Sequence, residues 1–232
     1  LREAYEKQRQ FAADASHELR TPLSVVLASA EILESDTSIT SPFLKQVIGD
    51  IHDEVKKMTK LVSDLLVVAR SDNQALKLKL TKVDLAAALD QTLRLMQPLA
   101  EKKNLTLRRE GLNTLTAKLD EQKIKQLMLI LVDNAVKYTP SSGTITVRLT
   151  EPSTGKLVFS VADTGIGIAP EDQQRIFDRF YRVDKARSRE MGGNGLGLAI
   201  AQEIVQLHDG AIKVESQPGA GTTFTVILKR LG

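Results

Sequence analysis

The chain has 232 residues, of which 42% are hydrophobic and 26% are charged, which is the composition of a folded globular protein. A net charge of only +3, with 4% aromatic residues and no tryptophan, gives no basic stripe and no stacking platform, so we expect no nucleic-acid partner. The absence of cysteine excludes disulfides and thiolate metal sites.

The first 72 residues carry apolar side chains at alternating steps of four and three, which is the seam of a helical bundle. The seam positions are Leu19, Leu23, Val26, Ala30 and Leu33, followed by Leu44, Ile48, Ile51, Val55, Met58, Val62, Leu65 and Ala69. The polar stretch SDTSITSP between the two sets predicts a turn, with Ser41 as N-cap and Pro42 as the first residue of a second helix. Two helices cannot cover both their seams, so the pattern predicts a homodimeric four-helix bundle, with a hairpin packed on its own second domain as the alternative.

From residue 76 the periodicity changes to a mixture of strands and helices. In chain order the patterns predict strand 76–80 (LKLKL), helix 83–96 with Asp84 as N-cap, strands 105–110 and 114–119, helix 120–138, strands 144–149 and 157–163, helices near 170–180 and 196–208, and strands 211–216 and 223–228. This order favours an α/β sandwich with helices on one face of a sheet. We therefore expect two domains, residues 1–75 and 76–232, joined by a short linker.

His17 lies in the stretch ASHELRTP, off the apolar seam of the first helix, and is expected to face solvent. Glu18 is its neighbour, Thr21 lies one turn further on the same face, and Pro22 should bend the helix. A carboxylate beside a histidine can orient the ring and raise its basicity. By itself an exposed helical histidine is usually only solvated, and we assign that role to His52 and His208.

A second set of residues has the chemistry of a nucleotide site. Asp163 ends a strand in VADTGIGI, where a buried carboxylate would accept the amino hydrogens of adenine and reject guanine, and Gly165 and Gly167 follow it. The stretch GGNGLGLAI at 192–200 opens a helix with bare backbone amides suited to phosphates, although such glycines can also be simple turn residues. It is neither a Walker loop nor a dinucleotide fingerprint. In LVDNAVKYT, Asn134 offers a hard oxygen suited to Mg²⁺, with Lys137 and Tyr138 within a turn.

Six stretches, in this order, resemble the conserved boxes of sensor histidine kinases. They are FAADASHELRTPLS (H box), LVDNAVKYT (N box), VADTGIGI (G1), IFDRFYRVD (F box), GGNGLGLAI (G2) and GAGTTFTV (G3). The resemblance implies a dimerisation and phosphotransfer hairpin followed by a Bergerat-fold ATP-binding domain. It also implies the cytoplasmic portion of a protein that is membrane-anchored through an upstream segment, and a response-regulator receiver domain as partner.

The resemblance also implies a role for individual residues. His17 would accept the phosphoryl group, and Glu18 would orient the His17 ring and take its proton. Thr21 matches a pattern associated with phosphatase activity toward the regulator. Asn134 would hold Mg²⁺, Asp163 would bind adenine, and Phe177 and Phe180 would anchor a mobile segment to the core. The remaining residues implied for the ATP pocket are Lys137, Tyr138, Gly165, Gly167, Arg182, Gly193, Gly195, Leu196, Gly197 and Thr223.

One position departs from the family pattern. Many members carry a second asparagine four residues before Asn134, and here that residue is Ile130. A two-asparagine account of Mg²⁺ therefore does not apply. Related gyrase, mismatch-repair and chaperone ATPases use a glutamate there to activate water, and isoleucine cannot act as a base. We expect an ATP-dependent protein-histidine kinase, with such an ATPase or a non-enzymatic dimer scaffold as alternatives.

Overall fold

The computed structural model describes Leu19 and residues 23–36, 38–71, 78–153, 155–183 and 195–229. The chain divides into two compact units, Leu1–Leu76 and Lys77–Gly232. In the described ranges there is no helix of the length and apolar character that crossing a membrane requires.

The first unit contains a helical hairpin. Helix α1 covers residues 23–35 and α2 covers Pro42–Ser71. In the turn the Asp36 Oδ1 atom accepts a hydrogen bond from the Ser38 amide at 2.8 Å. The Leu44 amide donates to Ser41 Oγ at 3.4 Å, so the cap predicted at Ser41 is confirmed.

The hairpin buries only half of its apolar seam. The residues at every seventh position are 4–8% exposed, namely Leu23 and Ala30 on α1 and Ile48, Val55 and Val62 on α2. The seam residues between them are 44–50% exposed, namely Leu19, Val26, Leu33, Leu44, Ile51 and Met58. The two helices of one chain therefore leave the second half of the seam uncovered within the described unit.

His52 is not a solvated surface histidine, so that expectation was wrong. Its side chain is 13% exposed, and its Nδ1 lies 3.3 Å from Glu34 Oε2 on the other helix. Its Nε2 lies 3.7 Å from Glu31 Oε1. The ring packs between α1 and α2, because it lies beside the seam rather than opposite it.

The second unit is an α/β sandwich, as predicted. Its elements are β1 (Leu80–Asp84), α3 (Leu85–Lys102), β2 (Thr106–Gly111), β3 (Thr116–Asp120), α4 (Glu121–Tyr138), β4 (Thr144–Ser153), β5 (Lys156–Asp163), a short 3-10 helix (Arg175–Phe177), α5 (Gly197–Leu207), β6 (Ala211–Gln217) and β7 (Gly221–Lys229). The main sheet has the order β2-β4-β5-β7-β6. The β2–β4 pair is parallel, and the other neighbours in this sheet are antiparallel. β1 and β3 form a separate antiparallel pair.

The core lies between one face of this sheet and the helices. Alternate residues of the central strands are buried at 0–5% exposure: Ile145, Val147, Leu149, Leu157, Phe159, Val161, Phe224, Val226 and Leu228. Asp163 and Thr222 continue the same face at the ends of β5 and β7, because side chains alternate along a strand. The polar end of the buried face is therefore the place where a site can form.

Two predicted elements differ from those in the structure. The strand predicted at 76–80 is found at Leu80–Asp84, where Val83 packs inward opposite Ala117 of β3. The helix predicted near 170–180 is instead a run of turns and one short 3-10 helix. A regular helix cannot continue to residue 180, because Phe180 has a φ of +63°.

His208 also differs from its predicted solvated role. It follows the end of α5 with 7% exposure. Its Nδ1 lies 2.8 Å from the Ile204 carbonyl oxygen, and its Nε2 accepts a hydrogen bond from the Asp120 amide at 3.1 Å. An Nε2 that accepts fixes the neutral tautomer with the hydrogen on Nδ1. His208 thus connects the end of α5 to the beginning of α4.

Candidate functional site

Asp163 lies at the end of β5, on the face that the helices cover. Its Oδ1 accepts hydrogen bonds from the amides of Gly165 at 2.8 Å and Thr222 at 3.3 Å. Both described bonds end on Oδ1, which leaves Oδ2 for a ligand. Burial raises the pKa of the Asp163 carboxyl above its usual value, although the two backbone amides act in the opposite direction.

The loop after Asp163 requires its glycines. A β-carbon on Gly165 would lie 2.5 Å from Asp163 Oδ1 and 2.7 Å from the Tyr138 carbonyl oxygen. Gly167 has a φ of +70°, and a β-carbon there would overlap the Gln217 carbonyl. The loop is also bonded to α4, because the Ile166 amide donates to the Tyr138 carbonyl at 3.2 Å.

Thr222, which the sequence analysis did not select, lies on the same face of the sheet as Asp163, whereas the predicted Thr223 does not. Thr222 pairs with Asp163 across the sheet and is 7% exposed. Thr223 pairs with Ala162, so its side chain points to the opposite face of the sheet. Ser216 supports Thr222, with the two hydroxyl oxygens 2.9 Å apart. The strand period counted from Asp163 would have selected Thr222.

Helix α4 presents a largely polar stripe of side chains beside the loop that follows Asp163. Ile130, Asp133, Asn134 and Lys137 fall within about 100° of one another around the helix axis. In the described residues no hydrogen bond involves the side-chain amide of Asn134, which is half-buried. Lys137 Nζ lies 2.6 Å from Asp133 Oδ2. The stripe therefore offers one available amide and one paired ammonium.

The first turn of α5 faces the other end of this stripe. A β-carbon on Gly197 would lie 3.5 Å from Ile130 Cγ2, an ordinary contact. Leu196 is fully buried at 0% exposure and precedes the helix, and among the residues that the structure describes no side chain caps the helix N-terminus. Its first backbone amides are therefore available to an anion, and the helix dipole favours negative charge there. The Gly195 carbonyl accepts a hydrogen bond from the Phe180 amide at 2.8 Å.

In the segment around residues 172–182, Phe177 anchors to the core as predicted, but Phe180 does not. Phe177 packs edge-on against Phe224, with ring centroids 6.4 Å apart, and so anchors this segment to the sheet. Phe180 is 59% exposed, so the core anchor expected there is absent. A left-handed φ directs its side chain away from the core.

Tyr181 and Arg182 end the described part of this segment. The Tyr181 hydroxyl donates to Asp172 Oδ1 at 2.5 Å, and this bond raises the pKa of Tyr181. The Arg175 guanidinium lies 4.3 Å from the centre of the Tyr181 ring. The Nε atom of Arg182 is buried and has no hydrogen-bond partner among the described residues, so this arginine has an unused donor.

Two distinct binding features are thus arranged along α4. The acceptor Asp163 lies at its C-terminal end, and the open amides of α5 lie against Ile130, eight residues earlier. Eight residues of helix span about 12 Å. A ligand with a hydrogen-bond donor at one end and negative charge at the other, on the scale of a nucleoside triphosphate, fits this arrangement.

Four of the predicted site residues, His17, Glu18, Thr21 and Gly193, lie outside the described residues. The structure groups Asp163 with Gly165, Gly167 and Tyr138, and it groups Gly197 with the Asn134 stripe. The roles assigned to these residues stay predictions.

Fold and site together define an α/β ligand-binding domain in the same chain as a helical hairpin. Two family models match the chain. Residues 7–74 match the His Kinase A (phospho-acceptor) domain, and residues 119–231 match the histidine kinase-, DNA gyrase B- and HSP90-like ATPase. The two matches follow one another in the order that the sequence boxes predict.

Curated relatives agree with these matches. Sensor histidine kinase YkoH of Bacillus subtilis (strain 168) is 38% identical over 231 residues, covering 97% of this chain and 48% of that protein. Signal transduction histidine-protein kinase ArlS of Staphylococcus aureus (strain USA300) is 37% identical over 227 residues, covering 98% of this chain and 50% of that protein. The chain therefore spans about half the length of these relatives.

Solved structures give the same result. Full-length ShkA in complex with AMPPNP has a TM-score of 0.83 and 32% identity, covering 96% of this chain and 46% of that chain. The mycobacterial sensor histidine kinase MprB has a TM-score of 0.56 and 27% identity over 65% of this chain and 97% of that one. The chain belongs to the sensor histidine kinases of two-component systems, a family of transferases, and the resemblance seen in the sequence is confirmed.

Proposed function

We propose that this chain is an ATP-dependent protein-histidine kinase that phosphorylates its own His17 and passes the phosphoryl group to an aspartate of a response regulator. The observation that carries the proposal is Asp163, a half-buried acceptor fixed by two amides, in a chain whose first part matches a phospho-acceptor domain. His52 also lies within that match, but its ring is held between two helices and is mostly buried. His17 is therefore the better candidate acceptor.

The described residues suggest how the reaction is supported. Asp163 Oδ2 would accept the adenine amino hydrogen, while the first amides of α5 and the Arg182 guanidinium would bind phosphate oxygens. A bond then forms between an imidazole nitrogen of His17 and the γ-phosphorus as the bond to the β–γ bridging oxygen breaks. ADP leaves, and Glu18 takes the imidazole proton. Catalysis of this kind consists mostly of positioning and charge stabilisation.

Mg²⁺ is the metal that we propose at Asn134. The side-chain amide of Asn134 has no competing hydrogen bond in the described residues and lies on the stripe that meets α5. Mg²⁺ typically takes few protein ligands and completes its shell with phosphate oxygens and water, so one amide oxygen is sufficient. The ion would neutralise phosphate charge. Asn134→Ala should weaken Mg²⁺-dependent ATP binding in a titration with and without the metal, and unchanged binding would place the metal elsewhere.

The kinase proposal is tested by incubating the chain with γ-labelled ATP and Mg²⁺. The expected product carries label that is lost in acid and kept in base, as a phosphorus–nitrogen bond requires. His17→Gln should remove this label and leave ATP affinity unchanged, because the nucleotide site lies in the other unit. His52→Gln is the matched control and should keep the label. ATP hydrolysis without labelled protein would favour the ATPase alternative, and failure to bind ATP would favour the scaffold.

We propose that the kinase forms a homodimer, that it is located in the cytoplasm, and that it is membrane-anchored through a segment upstream of Leu1. The half of the seam that one hairpin leaves exposed supports dimerisation, because a second copy presents the same apolar residues. A receiver domain is the proposed partner because the phosphoryl group on His17 needs an acceptor.

Phosphatase activity toward that regulator is the second proposed function, and it depends on Thr21 in HELRT. A hydroxyl one turn after His17 could hold a water in line with a phosphorylated aspartate. Thr21→Ala should leave autophosphorylation intact and slow the decay of phosphorylated regulator by about 10²-fold. Equal decay rates with the wild type and the Thr21→Ala variant would leave Thr21 a structural residue.

A further inference from the structure

A carboxylate lies on the same stripe of α4 as the residues that would meet the phosphates. Asp133 Oδ2 is 2.6 Å from Lys137 Nζ, and the two side chains are 27% and 22% exposed. The same helix carries a second ion pair of this spacing, Glu121 with Lys125 at 2.7 Å, where the side chains are 53% and 37% exposed. The Asp133–Lys137 pair is therefore the more enclosed of two otherwise similar pairs, and it should be less screened by solvent.

The position of the pair relates it to the anion site. Ile130 lies on the same stripe, one and two turns before Asp133 and Lys137, and it faces the start of α5, where a β-carbon on Gly197 would lie 3.5 Å from its Cγ2. The pair thus lies on the face of α4 that meets the first turn of α5 at Ile130, and among the described residues no side chain caps that turn. A triphosphate bound at those amides would bring negative charge toward both the Lys137 ammonium and the Asp133 carboxylate.

We propose that Asp133 is a positioning residue that holds Lys137 in an ion pair when no nucleotide is bound. The phosphates of a bound nucleotide must then displace Asp133 to contact the Lys137 ammonium. The proposal rests on the proposed function, since it concerns ATP at the same site. Asp133 then lowers the affinity for ATP through Lys137. Adenosine carries no charge, so its binding at Asp163 should not depend on whether Lys137 is paired.

The alternative is a pair that only stabilises the helix. An acidic residue four positions before a lysine has the favourable orientation, and such exposed pairs contribute little. That role would make Asp133→Asn slightly less stable without changing nucleotide affinity. Glu121→Gln removes the comparable pair at the other end of α4 and serves as the matched control.

The test measures ATP and adenosine affinity by calorimetry for the whole chain and its variants. Asp133→Asn should tighten ATP binding about two- to fivefold, the effect of freeing one partly enclosed lysine, and leave adenosine binding unchanged. Asp133→Glu preserves the pair and should keep the wild-type affinity. Glu121→Gln should have no effect on either ligand.

A double-mutant comparison identifies the route of the effect. Lys137→Met should weaken ATP binding, and Asp133→Asn added to Lys137→Met should change it no further. Tightening that persists without Lys137 would overturn the proposal, because Asp133 would then act by direct repulsion of phosphate. Unchanged or weaker binding in Asp133→Asn alone would also overturn it. Failure of the unmodified chain to bind ATP would instead refute the proposed function, on which this inference depends.

Discussion

Asp163 combines a functional arrangement with a cost in stability. One oxygen, Oδ1, accepts from the amides of Gly165 and Thr222, and the second oxygen is left for a ligand. Burial raises the pKa of this carboxyl, which means that the folded state holds its proton more tightly than the unfolded chain. Its contribution to stability is thus present below the unfolded value of about 3.9 and is lost as pH rises through the folded pKa. At neutral pH the ionised group disfavours folding.

Asp163→Asn should therefore stabilise the domain and shift its nucleotide preference from adenine toward guanine. The amide oxygen can replace Oδ1 and accept both backbone hydrogen bonds, while the NH₂ group replaces the ionised oxygen. That NH₂ opposes the amino group of adenine but matches the carbonyl of guanine. We expect a higher melting temperature at pH 7, with the gain shrinking toward pH 4, together with loss of ATP binding and relative improvement of GTP. Thermal denaturation and nucleotide titration measure both effects.

Asp163→Ala is the control, because it removes the charge without replacing the two hydrogen bonds. It should lose ATP binding without the full gain in stability, since the Gly165 and Thr222 amides lose an acceptor. A lower melting temperature for Asp163→Asn would contradict this account of the carboxyl. Full ATP affinity in either variant would mean that adenine does not bind at Asp163.

At the element scale, α4 is fixed at both ends by residues of other elements. At its beginning Asp120 caps the helix through the Lys123 amide at 3.2 Å and also accepts from the Lys79 amide at 3.0 Å. At its end Lys103 Nζ donates to the carbonyls of Val136 and Lys137 at 2.9 and 2.7 Å. These contacts set the position of the Asn134 stripe between the Asp163 loop and α5.

The cap at Asp120 should contribute more stability than the similar cap at Asp84. Burial disfavours ionisation of Asp120, but the hydrogen bonds from the amides of Lys79 and Lys123 and the nearby charge of Lys123 outweigh it, so its pKa lies below the ordinary value. Stability from this lowered pKa is present above the unfolded value of about 3.9 and is lost as pH falls through the folded pKa. Asp120→Ala should cost about 1–2 kcal/mol of unfolding free energy at pH 7.

Asp84→Ala is the matched control for that substitution. Asp84 also accepts from two amides, those of Ala86 and Ala87 at 3.0 and 3.1 Å, but its side chain is exposed, so water can replace it. We expect a loss of less than about 1 kcal/mol, the lower end for a helix cap. Urea denaturation at pH 7 and in acid compares the two. Equal losses in both variants would mean that burial adds nothing to the cap.

The elements that follow local rules were predictable from the sequence. The caps at Ser41 and Asp84 and the strands of the main sheet follow from side-chain chemistry and period. The departures have long-range causes: β1 is positioned by its pairing with β3, and His208 is buried by an amide 88 residues away. The same holds for the site, where Asp163 could be read from its motif but Asp133 could not. Its importance depends on where α5 lies.

At the scale of the whole molecule, the exposed half of the hairpin seam is the feature that supports the proposed dimer. Six seam residues of one chain remain 44–50% exposed, while those at the alternate positions are buried inside the hairpin. Burying the rest of such side chains contributes on the order of 1 kcal/mol each. A second hairpin with the same pattern can cover all six by completing a four-helix bundle.

Val26→Glu should therefore separate the dimer without unfolding the hairpin. Val26 is 44% exposed on the uncovered half of the seam, so a glutamate there meets apolar side chains only when a second copy docks. Ala28→Glu is the control, because residue 28 is exposed on the side of α1 opposite the seam. Light scattering after size-exclusion chromatography should give the monomer mass for Val26→Glu and the dimer mass for the wild type and Ala28→Glu. Circular dichroism should report equal helix content, since the buried half of the seam, including Val55, is unchanged. A dimer that survives Val26→Glu, or a wild type that is monomeric at micromolar concentration, would remove the four-helix bundle as the explanation of the exposed seam.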